Sequence, residues 1–139
     1  MAQDLSGEKL GPYRLVEIIG RGGMGVVYRA RQETIGRDVA IKLMDDRFVR
    51  NAALVERFGR EAQATGTLQH PGILPLVDVG FEGRQSFIVT AYLSGGSLSA
   101  RIAASPGGMP LMEVVRITSE TAAALTYAHS HGVVHRDIK

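Results

Sequence analysis

Gly20-Arg21-Gly22-Gly23-Met24-Gly25-Val26-Val27-Tyr28-Arg29-Ala30 is the stretch whose reading decides the fold. Glycines at its first, third and sixth positions suit a backbone that must come close to something. Without Cβ atoms, main-chain N–H groups can approach an anion such as a phosphate. A dinucleotide-binding turn would need a helix directly after the glycines and an acidic residue about twenty positions on. Asp45 and Asp46 lie near that spacing, but Val26-Val27-Tyr28 is a poor helix start and a good strand. A Walker-type loop would need Gly-Lys-Ser/Thr, which this loop lacks. Two readings remain: a phosphate-cradling hairpin between two strands, or an ordinary glycine-rich turn. The glycines alone do not choose between them.

Working outward, Tyr13 to Ile19 reads as a strand that the glycines interrupt, and Val26 to Ala30 as the next. Thr34-Ile35-Gly36 is a turn, and Val39-Ala40-Ile41-Lys42-Leu43-Met44 is a third strand. Three strands with short connections predict an antiparallel meander. Leu54, Phe58, Ala62 and Thr65 recur every three or four residues, which predicts a helix near 51–68 with Asn51 as its N-cap. His70-Pro71-Gly72 ends it. Ile73 to Val79 and Ser86 to Thr90 predict two further strands around a turn at Phe81-Glu82-Gly83-Arg84. After the flexible Ser94-Gly95-Gly96-Ser97, a second helix is expected over Leu111 to His131. Its apolar stripe is Leu111, Val114, Val115, Thr118, Ala122 and Leu125, and Gly132 is the residue that closes it. Val133-Val134 reads as a short strand leading to the final residues.

Composition narrows the classes. A hydrophobic content of 45% and a charged content of 22% are those of a globular chain able to bury a core. A net charge of +2 with no dense basic run argues against a nucleic-acid partner. The absence of cysteine excludes disulfides and thiolate metal sites. No apolar run reaches the length of a membrane span. Residues 1–10 are polar and lack the apolar run of a secretory signal. A cytoplasmic location is expected.

Four motifs in order carry a resemblance. They are Gly20-x-Gly22-x-x-Gly25-x-Val27, Val39-Ala40-Ile41-Lys42, Arg57-Phe58-x-Arg60-Glu61-Ala62 and His135-Arg136-Asp137. Together the chain resembles a bacterial, eukaryotic-like serine/threonine protein kinase. The resemblance implies an α+β fold: a small lobe of five antiparallel strands and one helix over residues 11–90, a hinge and linker over 91–96, and an incomplete helical large lobe over 97–139. Residues 1–10 would be a flexible N-terminus.

It also implies a site for ATP. Lys42 would pair with the α- and β-phosphates and Glu61 would hold Lys42 by an ion pair. Glu61 could instead be a solvated helix carboxylate pairing with Arg57. Ile19, Gly20, Gly22 and Gly25 would bound the nucleotide from the glycine loop, and Val27 and Ala40 would pack on the adenine faces. Thr90 would be the gatekeeper, with the Ala91 carbonyl and Leu93 N–H on the adenine edge. Ser97 would contact the ribose or, equally, cap a helix before Leu98. Asp137 would orient a substrate hydroxyl on a protein Ser or Thr, Lys139 would steady the γ-phosphate, and His135 and Arg136 would be structural.

In the family the catalytic loop continues to an asparagine, and a later Asp-Phe-Gly supplies the aspartate for magnesium. Neither occurs in these 139 residues, so no metal ligand is assigned. The expectation is weak, nearly magnesium-independent ATP binding and no phosphate transfer by these residues alone. The alternative is a non-catalytic nucleotide-binding or interaction fragment. An unburied stripe on the Leu111–His131 helix would favour association.

Overall fold

The computed structural model describes residues 4–22, 25–44, 56, 59, 60, 62, 63, 65–83, 85–136 and 138. Six strands form one sheet: β1 Lys9–Leu10, β2 Tyr13–Gly22, β3 Gly25–Gln32, β4 Arg37–Met44, β5 Leu76–Glu82 and β6 Gln85–Ala91. Their order is β1-β2-β3-β4-β6-β5, and every neighbouring pair is antiparallel. The five expected strands are β2 to β6, and β1 adds a short sixth at the edge. The helical residues among 56–66 belong to α1. The helices α2 Leu98–Ala103 and α3 Leu111–Ser130 follow. The chain divides into two compact units, Met1–Thr67 with Pro75–Tyr92, and Leu68–Leu74 with Leu93–Lys139.

Alternation along the strands builds the core of the sheet unit. Val39, Ile41 and Leu43 point one way from β4, and Tyr28 and Ala30 from β3 join them. Leu10, Tyr13, Leu15, Phe87 and Val89 complete the cluster. Burying a Val, Ile or Leu side chain fully stabilises by about 1.5–3 kcal/mol. Tyr13 and Phe87 meet edge to face, with ring centroids 6.3 Å apart. The Tyr13 hydroxyl donates to Asp78 Oδ2 at 2.9 Å. Burial, and then that carboxylate, push the Tyr13 phenol up to about 12.

Several boundaries differ from the sequence expectation, each for a physical reason. β2 does not stop at Ile19: Gly20 and Gly22 stay extended and pair with Val27 and Gly25. β5 starts at Leu76, not Ile73. The Ile73 N–H is held by the His70 carbonyl in a turn, and Pro75 has no N–H for a ladder. Val133-Val134 is not a strand. The Val133 N–H is taken by the Ala128 carbonyl and the Gly132 N–H by that of His129, with Gly132 at φ +74°. This is the Schellman closure of α3, and glycine is what its left-handed position asks for. Asn51, Leu54 and Phe58 lie outside the described residues.

In the second unit the apolar stripe of α3 is largely unburied, as expected from the sequence, and other residues form its packed side. Ala124 and Ala128 are buried, with Leu125 and Tyr127 partly so, while Leu111, Val114 and Val115 are exposed. Small residues decide this. A β-carbon on Gly72 would stand 3.0 Å from Ala124 Cβ, so segment Leu68–Leu74 lies close against α3. The Tyr127 ring lies between His70 and His131, at centroid distances of 5.3 and 4.2 Å. Its hydroxyl accepts the Gln69 N–H at 3.2 Å.

Candidate functional site

Residues directly opposite in an antiparallel ladder share a face. Gly20 faces Val27, Val27 faces Lys42, Lys42 faces Ile88 and Ile88 faces Val79. The next row runs Glu17, Arg29, Ala40, Thr90 and Leu76. So the register brings Gly20, Val27, Ala40, Lys42 and Thr90 to one face, opposite the core. Val27, Ala40, Lys42, Ile88 and Thr90 are each only partly covered, whereas Val39, Ile41 and Val89 behind them are fully buried.

The three glycines are not equivalent. Gly25 has φ +147°, and a β-carbon there would stand 1.9 Å from the Leu43 carbonyl oxygen. The hairpin can close against β4 only with glycine at that position. At Gly20 a β-carbon would make an ordinary 3.7 Å contact with Val27 Cβ, and at Gly22 it would meet nothing within 4 Å. Packing asks for no glycine at either.

The helix α1 stands on this same face. Gly59, Ala62 and Gly66 line a groove with Leu76 and Val79 of β5, and those two strand residues lie opposite Thr90 and Ile88. A β-carbon on Gly66 would be 3.1 Å from Leu76 Cδ2, and Ala62 is buried. Glu61 itself lies outside the described residues, as do Asp137 and Lys139.

The remaining expected positions fall as follows. Ile19 is a bulged residue of β2 and is exposed. Thr90 and Ala91 end β6, and the Ala91 N–H donates to the Pro75 carbonyl at 3.3 Å. Leu93 is exposed in the second unit. Ser97 caps α2, its hydroxyl accepting the Ala100 N–H at 3.1 Å. His135 and Arg136 are exposed, and Arg136 takes φ +61°, a conformation rare outside glycine. Sequence reasoning missed Ile88, which faces Lys42. The alternation of Phe87 and Val89 inward with Ile88 and Thr90 outward was the signal for it. It also missed Glu17, whose place depends on bulges that leave no mark in the sequence.

A half-covered strand lysine beside a glycine hairpin, with a helix over the same sheet face, defines the class. The protein kinase domain family matches residues 13–139, and the chain belongs to it. It is 40% identical over 133 residues to the serine/threonine-protein kinase PknD of Mycobacterium tuberculosis, covering 96% of this chain and 20% of PknD. It is 36% identical over 129 residues to PrkC of Bacillus subtilis, covering 93% of this chain and 20% of PrkC. The crystal structure of the Mycobacterium tuberculosis PknI kinase domain superposes with a TM-score of 0.81 at 31% identity, covering 96% of this chain and 54% of that domain. The chain therefore spans about a fifth of these curated relatives and about half of the solved domain.

Proposed function

We propose that this chain carries the ATP-holding part of a serine/threonine protein kinase. The observation that carries the reading is the pair Gly20 and Gly22. The fold has no steric need for glycine at either, yet both lie on the hairpin beside Lys42. A bare backbone there lets an external anion approach N–H groups closely. ATP fits these residues: the space at Gly22 is open, and the Lys42 ammonium on the same face offsets phosphate charge. Val27 and Ala40 supply apolar contact for a purine, and the Ala91 carbonyl and Leu93 N–H its edge. Ser97 retains a hydroxyl proton to donate to a ribose while it caps α2.

In the complete reaction Asp137 accepts the proton of a protein Ser or Thr hydroxyl. That oxygen forms a bond to the γ-phosphorus, the bond from phosphorus to the β,γ-bridging oxygen breaks, and ADP leaves. Glu61 orients Lys42, and Lys139 steadies the γ-phosphate. Magnesium supplies charge neutralisation in such enzymes. Among the described residues no group of three or more His, Asp or Glu side chains could hold it. No helix among the described residues is long and apolar enough to cross a membrane.

Calorimetry with ATP tests the reading. Lys42→Met should weaken ATP at least about tenfold, about 1.4 kcal/mol, while adenosine is held almost as before. Equal ATP affinity in Lys42→Met and the parent chain would overturn the assignment.

A further inference from the structure

The ladder joining β2 to β3 slips twice just before the glycine hairpin, between Leu15 and Glu17 and again between Ile18 and Gly20. Each slip leaves an unpaired residue and a bend, so the backbone holds this part of β2 less firmly than an unbroken ladder would. The β3–β4 ladder, by contrast, runs without a break from the pair Gly25 and Met44 to the pair Gln32 and Arg37.

One side chain spans the weak stretch. Arg29 Nε donates to Glu17 Oε1 at 2.7 Å, and its Nη1 donates to Asp38 Oδ2 at 3.2 Å. Arg31 Nη1 holds the other Asp38 oxygen at 2.9 Å. Glu17 is the residue between the two slips that faces Arg29. Arg29 thus ties β2, β3 and β4 together one row from Val27 and Lys42, on their own face of the sheet. A guanidinium does this because its fork presents donors to two carboxylates at once. An ammonium is a single point with no such spread.

We propose that Arg29 is a positioning residue, whose clasp of Glu17 and Asp38 holds the doubly bulged β2 so that the glycine hairpin stands at the height over Val27 and Lys42 that phosphates require. This rests on the reading of that face as a nucleotide site. Arg29 stands opposite Ala40, but β3 and β4, which carry Val27 and Ala40, are held by their own unbroken ladder, whereas the bulged β2 relies on the clasp through Glu17, so its loss should matter more for ATP than for adenosine. A purely structural tie would weaken both together.

The test uses the whole chain with Arg29→Met, which keeps the apolar stem, and Arg29→Lys. Amide hydrogen exchange in the native state should quicken about tenfold between Ile18 and Val27 in Arg29→Met, and change less than about twofold at Phe87 and Val89. ATP affinity should fall about five- to tenfold and adenosine affinity less than about twofold, with Arg29→Lys recovering part of the loss. Exchange unchanged at the hairpin, or quickened evenly across the sheet, would overturn the clasp. Parallel losses for ATP and adenosine would reduce it to a structural tie. A parent chain that binds ATP no more tightly than adenosine would overturn the nucleotide reading instead, and the exchange data would then judge the clasp alone.

Discussion

At Gly25 the backbone stands in a conformation that L side chains rarely adopt, and the Leu43 carbonyl oxygen occupies the space a β-carbon would need. Both costs fall on any substitution. Gly25→Ala should destabilise the sheet unit by about 2–4 kcal/mol, through strain and displacement of β4. Gly20→Ala and Gly22→Ala should stay within about 1 kcal/mol of the parent in urea unfolding, since an extended backbone accepts alanine. If all three variants lost similar stability, the distinction between a glycine the fold needs and two that it does not would be wrong. In the sequence these glycines look alike, because the atom that separates them belongs to another strand. Lys42 was legible for the opposite reason. Its neighbours Val39, Ala40 and Ile41 announce a strand, and strand periodicity alone fixes the face it shares with Val27 once the hairpin is recognised.

Elements show a similar division between what pattern reveals and what packing decides. Alternation and turn residues marked β3 and β4 closely, since both faces are set by period two. They could not mark the slips at Val16 and Ile19, because a bulge is a property of the pair of strands. They marked the apolar stripe of α3 and its lack of cover, but not its packed side. Its packed side follows from the alanines that admit Gly72, not from its largest side chains. Between α2 and α3 an electrostatic tie is readable only in three dimensions: Arg101 donates through Nε and Nη2 to both oxygens of Glu113, each at 3.0 Å. Hydrogen bonds from Arg101 hold the Glu113 carboxyl below its ordinary value of 4.5. A depressed carboxylate adds stability above its unfolded value, and that stability is lost as pH falls through the folded one. The parent chain should therefore lose urea resistance relative to Glu113→Gln between about pH 5 and about pH 3, and the two should converge at the acid end. A constant gap across that range would show that the pair contributes nothing through its charge.

At the scale of the whole molecule, segment Leu68–Leu74 leaves the sheet unit after α1, joins the α3 unit, and returns at Pro75 to begin β5. Tyr127 is its main anchor, through ring contact with His70 and the Gln69 N–H. Tyr127→Ala should cost about 1–3 kcal/mol in the helical unit. It should also quicken amide exchange at Gln69 and Ile73 while leaving β3 and β4 protected. Unchanged exchange at Gln69 would mean the backbone turn, not the ring, secures the segment. The path of the chain has a practical corollary. It passes between the units three times, at Thr67–Leu68, Leu74–Pro75 and Tyr92–Leu93. A single protease nick therefore cannot release either unit as one uninterrupted piece. A fragment ending at Tyr92 would keep every strand of the sheet but carry residues 68–74 as an orphaned strap, without the Tyr127 ring and hydroxyl that meet His70 and Gln69. Split-protein complementation should succeed only when the two pieces are present together from the start of folding.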